Sequence, residues 1–172
     1  AFRSAIPESE AGLVAGSSFA TWGLALEHRF PTDTYLGCEG EILISDADRW
    51  RGVFDFPTRP AFPASTAEQL DYEEKNLTFT VNQLLGSDWA LGARYRLSHA
   101  ELATRLPGVP LAAFPPGQAD LGGTLHQAWL YALYNHPSGF FLRAESVWNA
   151  QSNQGYTPDR PGDDFWHLHT YA

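Results

Sequence analysis

The sequence predicts an all-β chain, an antiparallel up-and-down transmembrane β-barrel of which about seven strands lie within the 172 residues, as part of a larger barrel. Three observations predict it. Windows of about nine residues alternate large apolar with small or polar side chains, the joins between them alternate between tight turns and long loops, and aromatic residues gather at the strand ends. Period two at this length means strands, and about 9 to 11 tilted residues are what a bilayer crossing needs.

The first strand, residues 18–30, sets Trp22, Leu24, Leu26 and Phe30 against Thr21, Gly23, Ala25, Glu27 and Arg29. It turns through Pro31, Thr32 and Asp33 into the second, residues 34–46, whose apolar face carries Leu36, Cys38, Ile42 and Ile44. Residues 72–85 and 89–101 form the next pair around Gly86, Ser87 and Asp88, with Trp89, Leu91, Ala93, Tyr95 and Leu97 opposite Arg94, Arg96 and Ser98. In residues 121–134, Leu125, Trp129, Tyr131 and Leu133 oppose Thr124, His126 and Ala128. The turn 135–139 leads to residues 140–151, where Phe140, Leu142, Ala144 and Trp148 oppose Arg143, Glu145 and Asn149, and a seventh strand runs through 165–172. Residues 47–71, 101–119 and 152–164 read as long loops on the other side, rich in Pro, Gly, Asp or Arg. The tight side is expected to face the periplasm and the long side the exterior.

This phase assigns Glu27, Arg29, Glu39, Glu41, Arg94, Arg96, His126, Arg143 and Glu145 to the lumen. It assigns Trp22, Phe30, Trp89, Tyr95, Trp129, Tyr131, Phe140 and Trp148 to the membrane interface, where amphipathic rings sit between lipid and water. Opposite charges on neighbouring strands are expected to form ladders that stabilise the wall and set the field inside it.

Composition agrees with a wall in contact with outer-membrane lipid and lipopolysaccharide. No stretch approaches 18 uninterrupted apolar residues, so no transmembrane helix is expected, and barrel strands carry only half that signal. The net charge of −9 argues against a nucleic-acid partner. Cys38, the single cysteine, allows no internal disulfide and reads as a small lipid-facing filler. The chain starts at an alanine, with a removed leader or a longer parent as the two explanations; the odd strand count favours the second.

The runs Tyr72-Glu73-Glu74-Lys75-Asn76-Leu77, Gln83 to Arg96 and Ala132 to Phe141 resemble the C-terminal β-barrel region of TonB-dependent-receptor-like outer-membrane proteins, over most of 22–172. Gly92-Ala93-Arg94-Tyr95-Arg96 and Tyr134-Asn135-His136-Pro137-Ser138-Gly139-Phe140-Phe141 are the more distinctive parts. The resemblance implies a bacterial outer-membrane location and a receptor-like or porin-like role in passing small solutes. The segment carries no energy-coupling box, plug or terminal aromatic strand, so active transport does not follow from it.

Enzymatic chemistry finds little footing. His126, His167 and His169 fall on the less apolar face, and an i, i+2 pair on one strand points the same way, but no third ligand stands at fixed spacing, so no metal or other cofactor is expected. Ser98, His99 and Glu101 lie close in sequence, yet adjacent strand residues point apart and cannot form a dyad. No nucleophile elbow or phosphate loop is present, and no catalytic residue is assigned. Two other classes stay open: an outer-membrane anchor or surface-interaction barrel without transport, and a soluble β-barrel or sandwich carrier whose outward aromatics form the core.

Overall fold

A computed structural model describes residues 6, 18–55 and 62–172. Seven strands form one antiparallel sheet in chain order: β1 (Ser18–Arg29), β2 (Thr34–Asp55), β3 (Phe62–Leu85), β4 (Trp89–Arg105), β5 (Gln118–Asn135), β6 (Phe141–Gln154) and β7 (Gly162–Tyr171). A 3-10 turn, Pro115–Gly117, lies in the β4–β5 connection. The sheet is not closed: β1 and β7 are its two edges, and with an odd number of antiparallel strands between them they run in the same direction.

The tight turns fix the register. In the first, Asp33 takes a positive φ of 56° while the Phe30 N–H donates to the Thr34 carbonyl at 2.8 Å. In the third, Gly139 holds φ 90°, a value that any side chain would strain, and the His136 N–H donates to the Phe140 carbonyl at 2.7 Å. Unbroken ladders follow from these turns, so side chains in one row of the sheet share a face.

One face is apolar. Rows such as Leu26, Cys38, Phe79, Tyr95, Ala128, Trp148 and Trp166 run from edge to edge across it. Its large side chains stand free of the rest of the chain, with Trp22 73%, Leu24 70% and Leu168 76% exposed. The band they form is oblique. Its upper margin lies at Ile44 on β2, paired with Glu73, and at Trp166 on β7, in the row that reaches β3 at Phe79. At about 3.3 Å per residue and about 4.8 Å per strand, that descent across the sheet inclines the band by about 40° to the rows.

The other face is polar through its middle, and polar groups there are buried: Glu74 is 5% exposed and Gln127 3%. Toward the long connections it turns apolar, where Ala47, Leu70, Tyr72, Ala100, Leu102 and Leu125 pack around the fully buried Ile6, with Leu43 and Leu121 beside them.

Residues 47–71, expected as a loop, are largely strand. β2 and β3 continue past the end of β1, whose Ser18 pairs with Asp46, and past the end of β4, whose Arg105 pairs with Gln69. The result is a projecting two-stranded ribbon; residues 56–61, between its strands in sequence, lie outside the described residues. The inner face of this ribbon is buried yet largely polar, with Thr66 8% exposed, so it lacks the apolar alternation of the sheet and its charges disguise it. Glu68, 1% exposed, ties it together by accepting from Arg49 Nε at 2.5 Å and Arg51 Nη1 at 2.8 Å. Burial pushes the Glu68 carboxyl up, but the hydrogen bonds and charges of the two arginines outweigh it and hold the group below its usual 4.5.

A depressed carboxyl pKa contributes stability that is full above 4.5 and is lost as pH falls through the lower folded value. Glu68→Gln should therefore cost about 1–3 kcal/mol at pH 7, since it removes charge-assisted bonds to a buried acceptor. The melting-temperature gap between wild type and Glu68→Gln should shrink as the pH is taken below 4.5; a gap independent of pH would show that the carboxylate charge is not what holds the ribbon.

Candidate functional site: the polar face of the sheet

Eight of the nine side chains expected to line one polar surface do share a face: Glu27, Arg29, Glu39, Glu41, Arg94, Arg96, Arg143 and Glu145. Register places the ninth, His126, on the apolar face, in the row of Leu24, Leu77 and Leu97, where its Nδ1 lies 2.7 Å from the Tyr95 hydroxyl. The aromatics divide in the same way. Trp22, Trp89, Tyr95 and Trp148 lie on the apolar face and Phe30 and Phe140 in the turns, whereas Trp129 and Tyr131 belong to the polar face.

The error on β5 is a one-residue slip of phase, and its cause is the use of bulk. Choosing the larger side chains as the apolar set fails because β5 presents Ala128, Leu130 and Ala132 on that face and turns Trp129 and Tyr131 to the other. The third turn held the needed signal: Tyr134 pairs with Leu142, so alternation carried back from Leu142 would have placed Tyr134 and Leu130 correctly. His167 and His169 stack at 6.0 Å on the polar face of β7, parted from His126 by the sheet. No group of three or more metal-ligating side chains occurs among the described residues.

The polar face is an organised network. Tyr72 Oη and Asn76 Nδ2 both donate to Glu74, and Arg96 lies 3.7 Å from Glu74 while donating to Asn76 Oδ1 at 2.8 Å. Ser98 Oγ donates to the same oxygen, and Gln127 Nε2 donates to Asn149 Oδ1 at 2.8 Å. Adjacent His99 points through the sheet to Thr124 and Glu101, so Ser98 and His99 are held apart as alternation requires. Arginines also use rings: Arg94 lies 5.5 Å from the Trp129 ring centre, and Arg143, paired with Glu145, lies 5.9 Å from that of Tyr131.

Tyr131 crosses the sheet over Gly92 and donates to Asn82 Oδ1 at 2.8 Å, two strands away. A Cβ on Gly92 would stand 2.1 Å from the Tyr131 ring and 2.6 Å from Asn82 Oδ1. The missing side chain is the slot that admits the ring.

Hollows open on this face at the end toward the long connections, where Leu125, Asn149, Gln151 and Phe165 line one, and at two further places. The first of these two, of 740 Å³, is lined from the polar side by Glu27, Arg29, Tyr35, Glu39, Asn82 and Tyr131 among others. The second, of 210 Å³, is lined by Glu39, Glu41, Asn76, Thr78, Arg94 and Arg96. They share Glu39 and Thr78. No protein-family model, curated protein or solved structure matches the chain significantly.

Gly92→Ala should expel the Tyr131 ring and cost about 1–3 kcal/mol, as overpacking does. Urea unfolding of Gly92→Ala, Tyr131→Ala and the double variant checks it. The double should recover about 1 kcal/mol or more relative to the sum of the singles, and additive losses would mean that ring and glycine do not share one slot.

Proposed function

We propose that this sheet is a section of a transmembrane β-barrel wall in a bacterial outer membrane, and that the barrel passes small solutes along its polar face. The observation that carries this reading is the inversion of polarity: leucines and tryptophans stand bare on one face while carboxylates and amides are buried on the other. In water that arrangement forfeits the hydrophobic effect on one side and pays desolvation on the other. Between hydrocarbon and a hydrated lumen both terms change sign in its favour.

The oblique band supports the same reading. Its inclination of about 40° falls within the strand tilt of about 35–45° that membrane barrels adopt, so the band lies level in the bilayer when the strands lean. On β4 the outward residues Trp89 to Leu97 span about 26 Å of strand, or about 20 Å across the tilted band, close to the roughly 25 Å of a barrel's apolar belt. The free edges of β1 and β7 then need partners, since unpaired backbone groups in hydrocarbon cost several kcal/mol each. Because the edges run in the same direction, fully antiparallel closure takes an odd number of further strands. The resemblance to TonB-dependent-receptor-like barrels belongs to this proposal as its narrower form.

The projecting β2–β3 ribbon favours a second reading, a barrel that presents surface contacts without conducting. Its outward Trp50 is 76% exposed, well beyond the band.

Fractionation of the native source, followed by gels of boiled and unboiled sample, tests the wall. A heat-shifting band in the outer-membrane fraction is the expected result, and a soluble band indifferent to boiling would overturn it in favour of a soluble carrier. Reconstituted vesicles then separate the two membrane readings: passage of sub-kilodalton solutes supports conduction, and tight vesicles support the surface-contact barrel.

A further inference from the structure

The smaller hollow is sorted by charge. Glu39 and Glu41 on β2 form one bank and Arg94 and Arg96 on β4 the other, with Asn76 and Thr78 of β3 as the floor between them. Glu39, Thr78 and Arg96 share one row, which sets the two banks two strand spacings, about 10 Å, apart at the backbone.

The banks do not neutralise each other. No ion pair joins either glutamate to either arginine, although all four line the same 210 Å³ space. Arg96 is already engaged upward by Glu74 and Asn76, and Glu74 is itself satisfied by Tyr72 and Asn76. Arg94 is different: its guanidinium is steadied by the Trp129 ring and meets no carboxylate among the described residues. Glu39 and Glu41 likewise have no cationic partner there. Two uncommitted carboxylates thus face one uncommitted guanidinium across a polar floor. The space is below the 300–1,000 Å³ or so of a drug-sized site and suits a smaller molecule.

We propose that this trough binds a small zwitterion, a free amino acid or dipeptide, with its ammonium between Glu39 and Glu41 and its carboxylate on Arg94. An anion alone would meet the glutamates as like charges, and a cation alone would meet Arg94 in the same way; a molecule carrying both charges satisfies both banks. The inference deepens the solute-passing reading, on which it rests for its biological use but not for its binding test.

Equilibrium dialysis of the folded full chain in detergent, with four glycine-derived probes, tests it directly. Glycylglycine carries both charges, N-acetylglycylglycine only the carboxylate, glycylglycinamide only the ammonium, and N-acetylglycylglycinamide neither. Glycylglycine is expected to bind at least tenfold more tightly than the uncharged probe, with both singly charged probes between. Arg94→Gln should erase the advantage of the carboxylate while keeping that of the ammonium, Arg94→Lys should restore most of it, and the Glu39→Gln/Glu41→Gln double should do the converse. Equal binding of all four probes to the unmodified protein would overturn the proposal, as would preferences that none of these variants moves. Vesicle flux keeps the two readings apart. Charge-dependent binding with tight vesicles sinks conduction and leaves the site; flux with no discrimination among probes sinks the site and leaves conduction.

Discussion

The antiparallel ladder is the constraint on which everything else in this sheet depends. From Leu26 to Trp166 a single row crosses all seven strands without a break, so each residue's face follows from its distance to the nearest turn. A slip of one position in any strand would carry its leucines to the polar side and its charges to the apolar side. Turn geometry and face polarity therefore select the same register independently. Asp33 and Gly139, at positive φ, hold the turns that set the count, and Tyr131 lying over Gly92 checks it again in mid-wall.

Much of this was legible in the sequence. Alternation from Trp89 to Leu97 and from Trp22 to Leu26, with short turns on one side, was enough to read seven antiparallel strands in chain order and to place eight charged residues on a common face. What stayed hidden has two physical causes. On β5, aromatic bulk serves the polar face, where Trp129 supports a guanidinium and Tyr131 fills the place of a missing side chain, so size stopped reporting hydrophobic environment. In residues 47–71, the ribbon buries polar side chains such as Thr66 and Glu68, so its burial leaves no apolar period-two signature, and the clamp of Glu68 between Arg49 and Arg51 is invisible until the pairing is known. The trough between β2 and β4 was out of reach for a related reason: Glu39 and Arg94 are distant in sequence and become neighbours across β3 only through two successive registers.

The polar face replaces a hydrophobic core with a hydrogen-bond network. Glu74 alone gathers a phenol and an amide with a guanidinium close by, and among the described residues no buried side-chain nitrogen or oxygen is left without a partner. Satisfied networks of this kind are rigid, because each member has one arrangement that spends no donor or acceptor. The apolar cluster that includes Ile6 is the exception on this face and lies at its end toward the long connections, away from the hollows at the middle and the turn end.

The shared direction of β1 and β7 bears on how copies of this sheet treat one another. In a membrane with fixed sidedness, two molecules side by side can bring β1 against β7 only in parallel, and can zip like edges antiparallel only if one is inverted through the bilayer. On the membrane reading proposed above, crowded open sheets are thus poor templates for each other. On that reading, the odd number of strands among the described residues would work as an orientation filter, with each exposed edge matched to strands of opposite sense and not to its own twin.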